Sequence, residues 1–269
     1  MKIIYKKDDL IKFLKHEQNL GFVPTMGSIH KGHLSLVKKS IKDCKKTIVS
    51  IFINRPQFNK KNDFNNYPKT LKKDIKLLKQ FKVDCVYLPN EKDIYPNGIN
   101  KKNKINSFSK KLCGKYRPGH FEAIVDVINR FIKIIKPKKI FMGEKDYQQY
   151  KIVEHFVSKN YKKIIVVCCQ TIRERNGTAL SSRNVLLSVK EKVVSGYIYN
   201  FLKKNKYDIF KNLLTLNFIK KKILKLGANK IDYIEILDIN KIIKPYRKQK
   251  KNRIFIAYYL GSTRLVDNI

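Results

Sequence analysis

"GFVPTMGSIHKGHLSLV", residues 21–37, decides the fold. Gly21 to Pro24 form an apolar run of strand length, Gly27 and Gly32 break the chain, and the residues after Gly32 take up helical spacing. A strand that passes through a glycine-broken turn into a helix is the entry unit of an open α/β fold. Its turn lies at the carboxyl edge of the sheet, where such folds place ligands. Glycine lets backbone approach a ligand closely and adopt dihedrals that other residues resist. A helix starting near Gly32 aims free N–H groups and the positive end of its dipole at the same place, which makes an anion site. His30 and His33 fall on that turn and supply imidazole donors.

Outward from this stretch, short apolar runs alternate with helix-period stretches through the first two thirds of the chain, the pattern of strand–helix–strand units. Strands are expected at 21–24, 47–53, 83–88, 139–142 and 163–169. Helices are expected at 70–81, where Leu71, Ile75, Leu78 and Phe81 share a face, at 121–135 with Pro137 as stop signal, and at 146–158. The reading is α/β: a Rossmann-like parallel sheet with helices on both faces over residues 1–172. After "RERNGTALSSRN" (173–184) the grammar changes. Helical stretches near 189–204 and 212–226 precede two alternating runs at 231–239 and 253–260, which suggests a small α+β domain over 173–269. The lysine-rich stretches at 101–104 and 248–251 read as loops.

The length of 269 residues suits one or two domains, and 43% hydrophobic with 30% charged residues places the chain among soluble globular proteins. The longest apolar run, "IIVVCC" at 164–169, is too short to span a membrane, and the N-terminus carries no signal-peptide core. A cytoplasmic protein is expected. Five cysteines without a CxxC pair read as small buried hydrophobes rather than metal ligands or disulfides. The formal net charge of +39 would suggest nucleic acid, yet only nine of the sixty basic residues are arginine, the favoured group for phosphate and base edges. Lysine is spread over every segment alongside abundant asparagine and isoleucine, a bias expected of AT-rich coding DNA. A specific nucleic-acid partner is therefore not expected.

"PTMGSIHKGH" (24–33) resembles the H-x-G-H signature of the nucleotidylyltransferase superfamily, and the chain as a whole resembles the pantoate–β-alanine ligase family. The resemblance extends in order through "SIFINRPQF" (50–58), "DFNNYPKTLKKD" (63–74), "IYPNG" (94–98), "RPGHF" (117–121), "GEKDYQQ" (143–149), "LSSRN" (180–184) and "LGSTRLVDN" (260–268). It implies a two-step ligation. The pantoate carboxylate attacks the α-phosphorus of ATP and releases pyrophosphate, and β-alanine then displaces AMP from pantoyl adenylate. Such chemistry needs alignment and charge neutralisation more than covalent help from the protein.

The resemblance also implies site residues. His33, His30 and Lys145 would be catalytic. ATP would meet Met26, Gly27, His30, Gly32, His33, Gly143, Glu144, Lys145, Asp146, Ile172, Leu180, Ser181, Ser182 and Arg183. Pantoate and β-alanine would meet Gln57 and Gln149, which both donate and accept hydrogen bonds, with Asn54, Tyr67, Arg117 and His120 near the same cavity. Magnesium would accompany ATP through phosphate oxygens, with protein ligands that sequence does not name. A homodimer is implied, the "SIFIN" side of the sheet being one possible contact. The polar stretch "NKKNDFNNYPKT" (59–70) reads as a structureless lid that keeps water from the adenylate.

The chain departs from the family where Asn54-Arg55-Pro56-Gln57-Phe58 shifts the usual proline by one place, and where Gln170 replaces a proline, loosening the adenine wall. Two rival readings make different demands. Another H-x-G-H adenylyl- or cytidylyltransferase has no need of Gln57, Gln149 or the "RPGHF" loop, and an RNA-binding protein gives His33 and Lys145 no role.

Overall fold

Leu20–Thr25 forms the strand expected at the opening stretch, and every later element is arranged around it. The computed structural model describes residues 1–100, 103–243, 246 and 248–269. In chain order the first part runs β1 (Lys2–Ile4), α1 (Lys7–Leu14), β2 (Leu20–Thr25), α2 (Lys31–Asp43), β3 (Lys46–Ile51), α3 (Lys61–Asn65), α4 (Leu71–Gln80) and β4 (Cys85–Tyr87). It continues with α5 (Glu91–Ile94), α6 (Cys113–Tyr116), α7 (His120–Ile135), β5 (Lys139–Gly143), α8 (Tyr147–Asn160) and β6 (Ile165–Cys169). The last part comprises α9 (Val189–Lys204), α10 (Lys206–Phe210), α11 (Leu216–Lys225), β7 (Lys230–Asp238), β8 (Asn252–Leu260) and β9 (Thr263–Asn268).

The first six strands make one sheet in the order β1-β4-β3-β2-β5-β6, and all its pairings are parallel. Alternation along the strands sends Phe22, Ile48, Tyr87, Ile140 and Met142 to one face, where α1, α7 and α8 cover them. Val23, Val49, Val86 and Phe141 go to the other face, under α2 and α4. A sheet buried on both faces needs near-continuous apolar strands, which is what these runs supply. Helix α7 lies deepest: thirteen of its sixteen residues are buried, so its apolar pattern extends around the helix rather than along one stripe. It ends at Lys136, held left-handed at φ 50°, immediately before Pro137.

From β2 the chain builds outward through β3 and β4 on one side, then crosses back to lay β5 and β6 on the other. The order reverses between β2 and β5, and the crevice beyond their carboxyl ends is where this topology places a ligand. The second sheet, β7-β8-β9, is antiparallel. One of its faces, with Ile234, Ile254, Ile256 and Tyr258, packs on α9, α10 and α11. Tyr233, Phe255 and Ala257 on its other face join the core of the first sheet.

Several expectations need correction. β1, α1 and β9 had no counterpart in the sequence reading, so the small sheet has three strands rather than two. The helix expected over 212–226 is confined to Leu216–Lys225, with α10 before it. The stretch 59–70 is not structureless, since it contains the short helix α3. Cys44, Cys85 and Cys169 are buried as expected, but Cys113 is half-buried and Cys168 is exposed. Of the loop expected over 101–104, residues 101 and 102 lie outside the described residues.

Candidate active site

The turn after β2 is built by a buried carboxylate. Gly27 and Ser28 both have positive φ, 82° and 51°, which turns two successive amides in one direction. Asp74 on α4, 1% exposed, accepts from Ser28 N and Ile29 N at 2.8 Å each and from the Thr70 hydroxyl at 3.0 Å. A Cβ on Gly27 would lie 3.1 Å from Asp74 Oδ2. The loop is thus fixed from behind, and α2 starts where it ends.

His30 is the N-cap of α2: its Nδ1 accepts from Gly32 N at 3.1 Å, so its ring proton sits on Nε2. The His33 ring lies 4.0 Å from it, tilted by 32°. Burial, aided by Lys145, pulls the His30 imidazole down to about 4 against a small opposing effect of Asp146. Burial, then His30 and Lys145, hold His33 well below the usual histidine range. Both rings are neutral at pH 7. His33 Nδ1 is buried without a hydrogen-bond partner among the described residues.

Lys145 comes from the turn after β5, across the switch point from the histidines, with its Nζ 3.4 Å from Asp146 Oδ1. That turn is held from the small sheet. Asn268 of β9 donates to the Glu144 and Lys145 carbonyls at 2.9 and 2.7 Å, and Arg253 of β8 pairs with the Glu144 carboxylate at 2.7 Å.

The segment 181–183 closes the other side. Ser181 accepts from Arg183 N at 3.3 Å, and Ser182 donates to Ser28 O at 3.2 Å. Arg183 grips Asp63 of α3 from 2.9 to 3.1 Å through Nε and Nη2, and its guanidinium sits 5.6 Å from the centre of the Tyr67 ring. Beside it, Gln57 donates to Met26 Sδ at 3.0 Å and accepts from Asn54 at 3.1 Å, while buried Asn54 accepts from the Tyr95 hydroxyl at 2.7 Å. The Gln57 carbonyl accepts from Arg117 Nη2 at 3.1 Å and from His120 Nδ1 at 2.9 Å. His120 Nε2 then accepts from Arg117 Nη1 at 3.0 Å. Burial, then Arg117, keeps His120 well below its usual range.

These groups surround one cavity of about 300 Å³ beyond the β2 and β5 ends. It brings together Met26, His30, Gly32, His33, Asn54, Gln57, Tyr67, Arg117, His120, Gly143, Lys145, Asp146, Gln149, Ile172, Leu180, Ser181, Ser182 and Arg183.

A family model described as pantoate-beta-alanine ligase matches residues 2–269. The chain belongs to the pantoate–β-alanine ligase family. Pantothenate synthetase of Leptospira interrogans is 41% identical over 257 residues, 94% of this chain and 90% of that one. The Francisella tularensis subsp. novicida protein of the same name is 40% identical over 266 residues, 97% of this chain and 92% of that one. A solved ligase from Francisella tularensis, complexed with beta-gamma ATP and β-alanine, has a TM-score of 0.88 at 35% identity, covering 100% of this chain and 97% of that one. A Thermus thermophilus structure gives 0.90 at 29% identity, covering 100% and 99%.

In this ligase two of the expected nucleotide residues stand off the cavity wall. Gly27 lies behind the turn against Asp74, and the Glu144 side chain turns away to Arg253. Sequence reasoning also missed wall residues from distant segments: Asp63, Cys113, Tyr233 and Arg264. It missed the supports Asp74, Arg253 and Asn268 as well. Asp63 and Asp74 stand inside the quoted motif "DFNNYPKTLKKD", and Arg264 and Asn268 inside "LGSTRLVDN", which was the only signal available.

Proposed function

We propose that the cavity condenses pantoate with β-alanine to pantothenate through a pantoyl adenylate, releasing AMP and pyrophosphate. In the first step a pantoate carboxylate oxygen attacks the α-phosphorus and the bond to pyrophosphate breaks. In the second, the β-alanine amine attacks the acyl carbon, the bond to AMP breaks and the nitrogen loses a proton. The observation that carries this reading is the neutral His30–His33 pair at the start of α2, facing Lys145 across the β2/β5 switch point.

Neutral imidazoles suit the task. They donate hydrogen bonds to the outgoing pyrophosphate without repelling Lys145, and phosphate charge arriving beside them raises their proton affinity. Lys145 supplies the fixed positive charge, and the α2 amides add to it. Met26, Gly32, Gly143, Asp146, Ile172, Leu180, Ser181, Ser182 and Arg183 complete the nucleotide wall. Gln57 and Gln149, with Asn54 and Tyr67 behind, receive pantoate; Arg117 and His120 adjoin them. α3 and its flanks exclude water from the adenylate. Mg²⁺ enters as part of the MgATP substrate, held mainly on phosphate oxygens. A domain division at 172/173 and a homodimer belong to the same reading.

The test is pantoate-dependent exchange of labelled pyrophosphate into ATP. The unmodified enzyme should exchange, and the double variant His33→Ala/Lys145→Ala should lose at least about a thousandfold, in line with loss of transition-state charge stabilisation. Exchange that needs no pantoate would favour a different H-x-G-H transferase, and undiminished exchange by the double variant would refute the roles of His33 and Lys145.

A further inference from the structure

Arg117 is a half-buried cation whose hydrogen-bond partners among the described residues are all neutral. Among the described residues no carboxylate lies within ion-pair distance of it: its two terminal nitrogens meet the His120 ring and the Gln57 carbonyl. The carboxylates that share its cavity are already engaged, Asp63 with Arg183, Asp146 with Lys145 and Asp267 with Arg173. Burial and the like charge of Arg183 push the guanidinium down to about 10. A charge partly withdrawn from water and left in this state is unfavourable until an anion arrives.

Arg264 on β9 completes the feature. Its Nε is spent on buried Asp232 at 2.7 Å. Its terminal pair, the edge that binds a carboxylate in bidentate fashion, meets Cys113 Sγ alone among the described residues, at 3.7 and 3.8 Å. A thiol is a weak acceptor, and this one also contacts the Tyr233 hydroxyl at 3.0 Å. Arg117, Arg264, Cys113 and Tyr233 all line the cavity.

We propose that Arg117 and Arg264 together seat the carboxylate of β-alanine, with Arg264 supplying the fork that selects an amino acid bearing a terminal carboxylate. The proposal rests on the ligase reading above. It assigns the seat to β-alanine rather than pantoate for a chemical reason. The pantoate carboxylate must lie against the α-phosphorus and loses its charge on becoming an acyl adenylate. The β-alanine carboxylate keeps its charge from encounter to product, so permanent cations serve it throughout. Position agrees: Arg117 is bonded to the backbone of Gln57, whose side chain reaches Met26 beside the histidine turn. That places the cation on the Gln57 side of the cavity, beside the residue that reaches the histidine turn where the acyl group is formed.

The test compares the unmodified enzyme with Arg264→Gln and Arg264→Lys. Three readings are taken: the KM for β-alanine, the use of β-alaninamide as a neutral acceptor, and pantoate-dependent pyrophosphate exchange without any amine. Arg264→Gln should raise the KM for β-alanine about ten- to a hundredfold, as expected for losing a hydrogen-bonded charge. It should cut the preference for β-alanine over its amide by a similar factor and leave exchange within about twofold. Arg264→Lys, which retains a cation for Asp232 but no fork, should raise the KM less and remain folded. An unmodified enzyme that uses the amide as well as β-alanine would overturn the proposal without any variant. So would exchange falling in step with the β-alanine KM in both variants. Absence of pantoate-dependent exchange in the unmodified enzyme would instead overturn the ligase reading beneath it.

Discussion

Replacing Asp74 should loosen the histidine turn from a residue that touches no substrate. The carboxylate receives two backbone N–H groups at 2.8 Å and one hydroxyl at 3.0 Å while 1% exposed. Hydrogen bonds to a charged group contribute about 1.5–3 kcal/mol each, so the two amide bonds together account for roughly 3–6 kcal/mol. That is a large share of the roughly 5–15 kcal/mol that holds a typical domain folded. Asp74→Ala should therefore fold poorly. Asp74→Asn keeps one acceptor and sets its amide N–H against the other backbone N–H, for a loss of about 2–3 kcal/mol. Because the freed amides belong to Ser28 and Ile29, immediately before the cap of α2, the ATP KM in pyrophosphate exchange should rise about fivefold or more, at roughly tenfold per 1.4 kcal/mol transmitted to the loop. Urea unfolding measures the first effect and exchange kinetics the second. If Asp74→Asn stays within about 0.5 kcal/mol of the parent, the range of an ordinary surface change, with an unaltered ATP KM, the turn is held by something else.

Three further outcomes are expected. Asp63→Asn weakens the grip on Arg183, so steady-state kinetics should show the ATP KM falling about two- to fivefold, the scale of a partly exposed ion pair, with more AMP released without pantothenate. His30 is held near pH 4 in the folded protein, below its ordinary 6.5, and His33 and His120 are shifted in the same direction. The unfolded chain thus takes up protons first as pH falls, so stability is full above about 6.5 and declines toward 4; urea midpoints across that range should show this, and His30→Gln should flatten part of the decline. Gly21→Ala places a methyl 2.1 Å from Ser40 Oγ, which is itself bonded to Thr47 at 2.8 Å, and should lower stability by about 1–3 kcal/mol by overpacking, read by thermal unfolding.

What could be read in the sequence follows from how local each signal is. The helices at Leu71–Gln80 and His120–Ile135 repeat their apolar residues over several turns and end on local stops, so their places were legible within a residue or so. β1 has three residues and β9 interleaves Arg264 and Asp267 with its apolar positions, too little pattern for either to stand out as a strand. Within the site, the histidine turn was legible because strand, glycines and helix are contiguous. The side on which "GEKD" presents each side chain was not: Lys145 faces the cavity and Glu144 faces Arg253, 109 residues later. Asp74 looked like one polar residue on a lysine-rich helix until the fold brought it against backbone 45 residues earlier. Arg264 needed the third strand of a sheet that only two runs foretold.

The hold of Asn268 on the Lys145 carbonyl spans 123 residues. During synthesis, when earlier segments fold first, the parallel sheet can form while the turn after β5 still lacks its clamp. Competence for nucleotide chemistry should therefore appear late and abruptly, after a native-looking sheet is already in place.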